Sequence, residues 1–187
     1  VVFGFGSVST VDTLEIRWPS GIVQRMTSVA TNQVLAVTES EWADVSNDPV
    51  DTSGDRVIAW GDYDGDNDQD MYVGVDGTNK LLRNEGANAF VNVTPNVLKS
   101  AAGESRSVAW ADYDNDGDLD LYLGSHSGDS NRLFRNEGSG TFADVTNGPL
   151  CATGECRAGI WGDYDRDGDV DLFLAFRNAT NKLLRND

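Results

Sequence analysis

Three stretches of this 187-residue chain are near copies of one another. RVIAWGDYDGDNDQDMYVG (56–74) returns as RSVAWADYDNDGDLDLYLG (106–124) and as RAGIWGDYDRDGDVDLFLA (157–175), so the unit recurs after 50 and then 51 residues. Each copy leads into NKLLRNEG (79–86), NRLFRNEG (131–138) or NKLLRND (181–187). The first two continue to FVNVT (90–94) and FADVT (142–146), and WADVS (42–46) has the same form ahead of the first copy. A unit this short cannot bury its apolar face alone, so the repeat demands an architecture of stacked, like modules.

Each unit reads as four short strands. Leu119-Asp120-Leu121-Tyr122-Leu123 alternates apolar and polar, aromatic and β-branched residues are frequent, and Gly- and Asn-rich connections separate the runs. No stretch carries a 3.6-residue apolar period of useful length. Four strands in about 50 residues is the size of a propeller blade. The expected fold is all-β, with about three propeller-like blades over residues 41–187. Trp60, Trp110 and Trp161 share one repeat position and are expected to pack between blades. Propellers typically have about four to eight blades. WADVS pairing across the ends would complete the third blade, and closing a ring then calls on the N-terminal segment, on other chains, or on a longer parent chain. Residues 1–40 form a separate small β unit. TLEIRW (13–18), a Pro-Ser-Gly turn and IVQRMT (22–27) predict a hairpin, with Leu14, Ile16 and Trp18 on one face, and NQVLAVTE (32–39) predicts a further strand.

The formal charge is −17, from 31 acidic against 14 basic residues. Fifteen of the acidic residues are Asp within the three repeated loops, and setting those aside leaves 16 against 14, a near balance. The acidity is concentrated in three places, and the chain lacks the basic face that nucleic acid requires. No apolar run approaches the ~18 residues of a membrane span, so membrane insertion is not expected.

The loops place carboxylates at alternate positions 1, 3, 5, 7 and 9. These are Asp62, Asp64, Asp66, Asp68 and Asp70; Asp112, Asp114, Asp116, Asp118 and Asp120; and Asp163, Asp165, Asp167, Asp169 and Asp171. Unneutralised, each close pair of charges costs roughly 1 kcal/mol even at high dielectric. Position 6 is Asn67, Gly117 or Gly168, residue types that tolerate the positive φ of a tight turn around an ion. Hard oxygen ligands in this number suit calcium, with magnesium the second choice, since it takes fewer protein oxygens and keeps its waters. Zinc and copper want His or thiolate, and the single His126 lies outside the loops. About three Ca²⁺ ions are expected. An EF-hand would end in Glu at position 12, where this chain has Val73, Leu123 or Leu174. By analogy with other such loops, positions 1, 3, 5 and 9 would bind through side chains and position 7 through its backbone carbonyl. Arg166, inside the third loop, offsets part of its charge.

Cys151 and Cys156 are separated by ATGE, a spacing that fits no redox C-x-x-C motif. The expectation is a short-loop disulfide, with two free thiols as the alternative. Asn92-Val93-Thr94 and Asn178-Ala179-Thr180 match the glycosylation sequon. Both features lean toward an extracellular setting. With one His and no Ser/His/Asp or Cys/His set, an enzyme is not expected.

The D-x-D-x-D-G-D-x-D loop after Trp-Gly-Asp-Tyr, followed by N-x-L-x-R-N-x-G and F-x-D-V-T, resembles the FG-GAP/VCBS repeat family, which includes the calcium-binding blades of integrin α-subunit propellers. The resemblance covers about residues 41–187. Residues 3–39, notably RWPSG and NQVLAV, resemble an ASPIC/UnbV segment, which usually follows such repeats and here precedes them. The Phe-Gly…Gly-Ala-Pro signature is absent, so integrin-style ligand recognition does not carry over. The resemblance implies a secreted or cell-surface, calcium-stiffened module for adhesion or for recognition of a protein or glycan partner. The alternative is a subunit that assembles with its own copies into a fibre or surface layer.

Overall fold

The computed structural model describes residues 9–19, 21, 23–31, 35, 37–38, 55–87, 89–99, 103–126, 130–151 and 154–187. The chain divides into two compact units, residues 1–45 and 46–187. In the first, β1 (Thr10–Arg17) and β2 (Val23–Ala30) pair antiparallel, with Leu14 opposite Met26 and Ile16 opposite Gln24. Leu14, Ile16 and Trp18 are half-buried while Glu15 and Arg17 are exposed, the alternation read from the sequence. Gly21, at φ 94°, closes the turn by donating its N–H to the Trp18 carbonyl at 3.0 Å. Glu15 then accepts from Arg25 at 2.9 Å across the two strands. The predicted strand at 32–39 lies largely outside the described residues, as does WADVS (42–46).

The second unit is built of blades. Blade 1 contains β3 (Asp55–Gly61), β4 (Asp70–Gly77), β5 (Lys80–Asn84) and β6 (Phe90–Asn92). After a one-turn helix α1 (Asn96–Lys99), blade 2 follows as β7 (Gly103–Ala111), β8 (Asp120–Ser125), β9 (Arg132–Asn136) and β10 (Phe142–Asp144). A single 3-10 turn, Gly148–Cys151, leads to blade 3, of which β11 (Cys156–Gly162), β12 (Asp171–Phe176) and β13 (Lys182–Leu184) are described. Every blade is an antiparallel meander, and blades 1 and 2 touch edge to edge where Asp76 pairs with Glu104. The fold is all-β and propeller-like. The two helical turns were invisible to periodicity because each is one turn long, yet α1 buries Leu98 fully.

The repeated acidic stretch is the link between the first and second strands. Gly61 pairs with Asp70, Ala111 with Asp120 and Gly162 with Asp171, so position 9 is the first residue of the returning strand. From there Asp120-Leu121-Tyr122-Leu123 alternates across a sheet that is buried on both faces. Leu121, Leu123 and Phe134 of blade 2 share one core with Tyr72, Leu81 and Leu98 of blade 1. On the other face of blade 2, Tyr122 and Leu133 share a core with Leu172, Leu174 and Phe176 of blade 3. One strand thus serves two interfaces, and each large apolar side chain buried there contributes about 1.5–3 kcal/mol.

The repeated tryptophan behaves as expected in two blades. Trp110 packs edge-on to Tyr72 at 6.3 Å between ring centroids, and Trp161 repeats this against Tyr122 at 6.4 Å. Trp60 differs, being 55% exposed, since among the described residues no blade precedes the first to cover it. The cysteine expectation is also corrected, because both thiols are free. Cys151 is exposed on the 3-10 turn, whereas strand alternation turns Cys156 into the core, its Sγ 3.6 Å from the Tyr122 hydroxyl. Burial there pushes the Cys156 thiol pKa upward.

Gly124 makes that close approach possible. A Cβ at this position would sit 2.6 Å from Cys156 Sγ and 3.0 Å from Ser107 Cβ, closer than packed atoms allow. The counterpart in blade 3 is Ala175. Gly124→Ala should therefore destabilise the protein by about 1–3 kcal/mol in urea unfolding. Ala175→Gly should cost under about 1 kcal/mol, and equal costs would contradict this account of blade packing.

Candidate metal centres

Each acidic loop folds by using its own carboxylates as acceptors for backbone N–H groups. The position-1 carboxylate bends the chain around itself. Asp62 Oδ1 accepts from Gly65 at 2.9 Å and Asp66 at 3.1 Å, and its Oδ2 accepts from Asn67 at 2.9 Å. Asp112 does the same with Asp116 and Gly117, both at 3.0 Å, and Asp163 with Arg166 and Gly168. The position-5 carboxylate caps the next turn, Asp66 accepting from Asp68 at 2.8 Å. Its counterparts Asp116 and Asp167 accept from Asp118 and Asp169. Position 6 is left-handed in all three loops, with φ 74° at Asn67, 96° at Gly117 and 104° at Gly168. Position 4 is left-handed as well, and there the residues are Gly65, Asn115 and Arg166. Arg166, at φ 66°, is the costly one, since a long side chain in this region is strained.

Position 9 is buried and joins three segments. Asp70 Oδ2 accepts from the Tyr63 N–H at 3.2 Å and Oδ1 from the Asn84 N–H at 2.8 Å. Asp120 holds Tyr113 and Asn136, and Asp171 holds Tyr164 and Asn186, in the same way. An Asn stands at the end of β5 and of β9 and two residues after β13. Its recurrence as R-N-E-G, R-N-E-G and R-N-D was the signal that it mattered. Its side chain also reaches backwards, Asn136 Nδ2 donating to the Tyr63 carbonyl at 2.7 Å and Asn186 Nδ2 to the Tyr113 carbonyl at 2.6 Å. The first and second loops are thereby each anchored to the following blade.

Within this scaffold the carboxylate oxygens converge. Ligand atoms of Asp62, Asp64 and Asp66 lie within 4.8 Å of one another, as do those of Asp112, Asp114 and Asp120 and those of Asp163, Asp165 and Asp171. Positions 1 and 3 therefore gather in every loop, joined by position 5 in the first and position 9 in the others. The position-7 residues Asp68, Asp118 and Asp169 stand outside these groups. Asp169 instead accepts from Asn115 of the preceding loop at 2.6 Å. Asp64 Oδ1 is buried and has no hydrogen-bond donor. A lone carboxylate oxygen shielded beside two other carboxylates is the arrangement a hard cation satisfies, so the residues present fit calcium.

The electrostatics agree. Burial pushes Asp70 and Asp120 from 3.8 up to about 6, with the carboxylates of Asp64 and Asp66, or of Asp114 and Asp116, adding to the effect. Burial and the adjacent position-5 carboxylate also raise Asp64, Asp114 and Asp165.

Of the sequons, Asn92 lies in β6, where its Oδ1 accepts from Thr94 N at 3.1 Å and Thr94 Oγ1 at 2.6 Å. Asp144 and Thr146 make the same pair in blade 2, so Asn-x-Thr here closes a turn that Asp-x-Thr closes equally well. Asn178 donates to Glu155 at 3.1 Å. Glu155 is buried, pairs with Arg157 and lies 3.1 Å from His126 Nε2, which places the one His in an interblade hydrogen-bond network around that ion pair.

A family model described as FG-GAP-like repeat matches residues 62–123 and 117–174, and one described as ASPIC and UnbV matches residues 1–43. No curated protein matches the chain. No helix among the described residues is long and apolar enough to cross a membrane.

The raised carboxyls set a sign for pH dependence. A folded pKa near 6 against 3.8 unfolded means that the stabilising contribution of Asp70 and Asp120 in the metal-free chain is fully present below about 4 and lost as pH rises through about 6. A cation must displace those protons, so affinity should fall on acidification from pH 7.5 to about 5.5. Calorimetric Ca²⁺ titrations at the two pH values check this, and equal affinities would contradict it.

Proposed function

The chain belongs to the family of FG-GAP-like repeat proteins, and on that premise we propose that it is a non-enzymatic, extracellular calcium-binding module that presents a rigid surface for adhesion or for recognition of a protein or glycan. The observation that carries this reading is the convergence of three carboxylates in each of three equivalent loops. The buried, unpartnered Asp64 oxygen supports it independently. Asp62, Asp64 and Asp66, with Asp112, Asp114 and Asp120 and with Asp163, Asp165 and Asp171, would hold the ions. A bound cation supplies the positive charge that lets carboxylates stay ionised side by side.

Calcium in this reading is structural. The loops tie first, second and third strands together and hand an Asn contact to the neighbouring blade, so holding a loop closed holds the blade pair. Extracellular modules bind calcium with Kd of about 10⁻⁴–10⁻³ M. Ligand at ten times Kd adds about 1.4 kcal/mol per site. The carboxylates serve the loops' own backbone by accepting its N–H groups, which supports a binding role.

A second reading, a subunit that assembles with its own copies, is favoured by a specific observation. Ile160, Tyr164, Phe173 and Leu183 are exposed on blade 3, at positions whose counterparts in blade 2 face the next blade. Concentration-dependent sedimentation in calcium would support it, and a monomer at all concentrations would dismiss it.

For the leading reading, thermal melts with 5-fold to 10-fold excess calcium over Kd should lie clearly above melts in EDTA. Asp114→Asn should shrink the difference, and a melt indifferent to EDTA would overturn the metal assignment.

A further inference from the structure

At the end of the blades opposite the acidic loops, the chain's one histidine stands between two blades. His126 follows β8, whose last residue Ser125 pairs with Ser105 of β7, while the acidic loop leaves the other end of that ladder, where Ala111 pairs with Asp120. The His126 backbone N–H donates to the Glu104 carbonyl at 2.8 Å, which fixes it beside the start of β7. Its ring then meets two carboxylates. Nδ1 lies 2.9 Å from Glu104 Oε2 in its own blade, and Nε2 lies 3.1 Å from Glu155 Oε1, one residue before β11 of blade 3.

Comparison of the two blades shows what sets this position apart. Glu104, Arg106 and His126 correspond to Glu155, Arg157 and Arg177, each 51 residues on. Each Glu pairs with the Arg two residues later, Arg106 lying 2.9 Å from Glu104 and Arg157 pairing with Glu155. In blade 3 the residue after the second strand is Arg177, 3.4 Å from Glu155, with its N–H on the Glu155 carbonyl at 3.0 Å. An Arg keeps its charge throughout the physiological range. Blade 2 has a His in that place, the side-chain type that changes charge between about pH 5 and 8. A carboxylate only accepts, so two carboxylates at the two ring nitrogens are both satisfied by an imidazolium, which donates from each. A neutral ring has one N–H and turns a lone pair toward the other oxygen. Burial disfavours the charge of Glu155, yet Arg157, Arg177 and His126 hold its carboxyl below its ordinary value, and Asn178 donates to its Oε2 at 3.1 Å. It therefore remains an acceptor across that range. Arg106, Arg157 and Arg177 oppose a further positive charge, which keeps the gain from the two contacts modest.

We propose that His126 is a proton-operated clasp between blades 2 and 3. Protonated, it donates to Glu104 and Glu155 together. On deprotonation one of the two contacts is lost, so this end of the blade junction loosens as pH rises. The clasp's contribution to stability is present in acid and disappears above neutral pH. It lies at the far end of the blades from the metal centres and does not depend on the calcium reading.

The test compares urea unfolding of the whole chain with that of His126→Gln at about pH 5.5 and about pH 8. Asp70 and Asp120 also favour the metal-free fold in acid, but both chains share them, so the difference between the chains at each pH isolates His126. The expected advantage of the native chain at the lower pH is about threefold to tenfold in the unfolding equilibrium constant. At the higher pH it should fall below about twofold. A second measurement needs no variant. With one His in the chain, the imidazole N–H signals in the proton NMR spectrum have a single source, and two protected signals are expected at the lower pH. Equal advantages at the two pH values, or fewer than two protected imidazole N–H signals in acid, would overturn the proposal.

Discussion

One buried carboxylate closes each blade. Asp70, Asp120 and Asp171 sit at the first residue of a returning strand, and each accepts one N–H from its own loop and one from the third strand. That contact fixes where the loop ends, where the second strand begins and how the third lies beside it. Burying an ionisable group is expensive, and the raised pKa values of Asp70 and Asp120 record the expense. A cation held by the neighbouring carboxylates, as proposed, would relieve it. The acidic loops are thus the point at which strand geometry and the proposed metal binding meet.

The blades connect through the same neighbourhood. The third-strand Asn that donates its backbone N–H to the buried Asp also sends its side chain to a carbonyl in the preceding loop. The repeated geometry of loop, Asn and interblade Trp then sets one blade on the next, with Gly124 admitting the close approach of Cys156. Where a neighbour is missing among the described residues, the pattern shows as exposed apolar surface, at Trp60 on one end and at Phe173 and Leu183 on the other. Repeat folds earn their stability at such interfaces more than within single units.

Much of this was legible because two periods are written into the residues. Alternation in Leu119–Leu123 marks a strand, and alternation of Asp at 112, 114, 116, 118 and 120 marks a loop that turns around something. The hairpin of Glu15 and Arg25 was equally plain. What escaped depends on partners distant in sequence. Trp60 has the repeat's signature yet lacks the blade that would bury it, and nothing local in the sequence says so. Cys151 and Cys156 are near in sequence, but strand direction sends one thiol inward while the other stays at the surface. The left-handed backbone at position 4 was hidden because its three residues are of different types, Gly65, Asn115 and Arg166, whereas position 6 repeats Gly or Asn. Single helical turns such as Asn96–Lys99 leave no period to detect.

The account stands or falls on whether cations lie among the converging carboxylates. The most direct measurement is a crystal structure of the protein grown in calcium, with anomalous scattering used to identify ions. It should place an ion at each of the three clusters, beside Asp64, Asp114 and Asp165, with oxygens at about 2.3–2.6 Å. Ordered loops with water and no ion at these positions would contradict it.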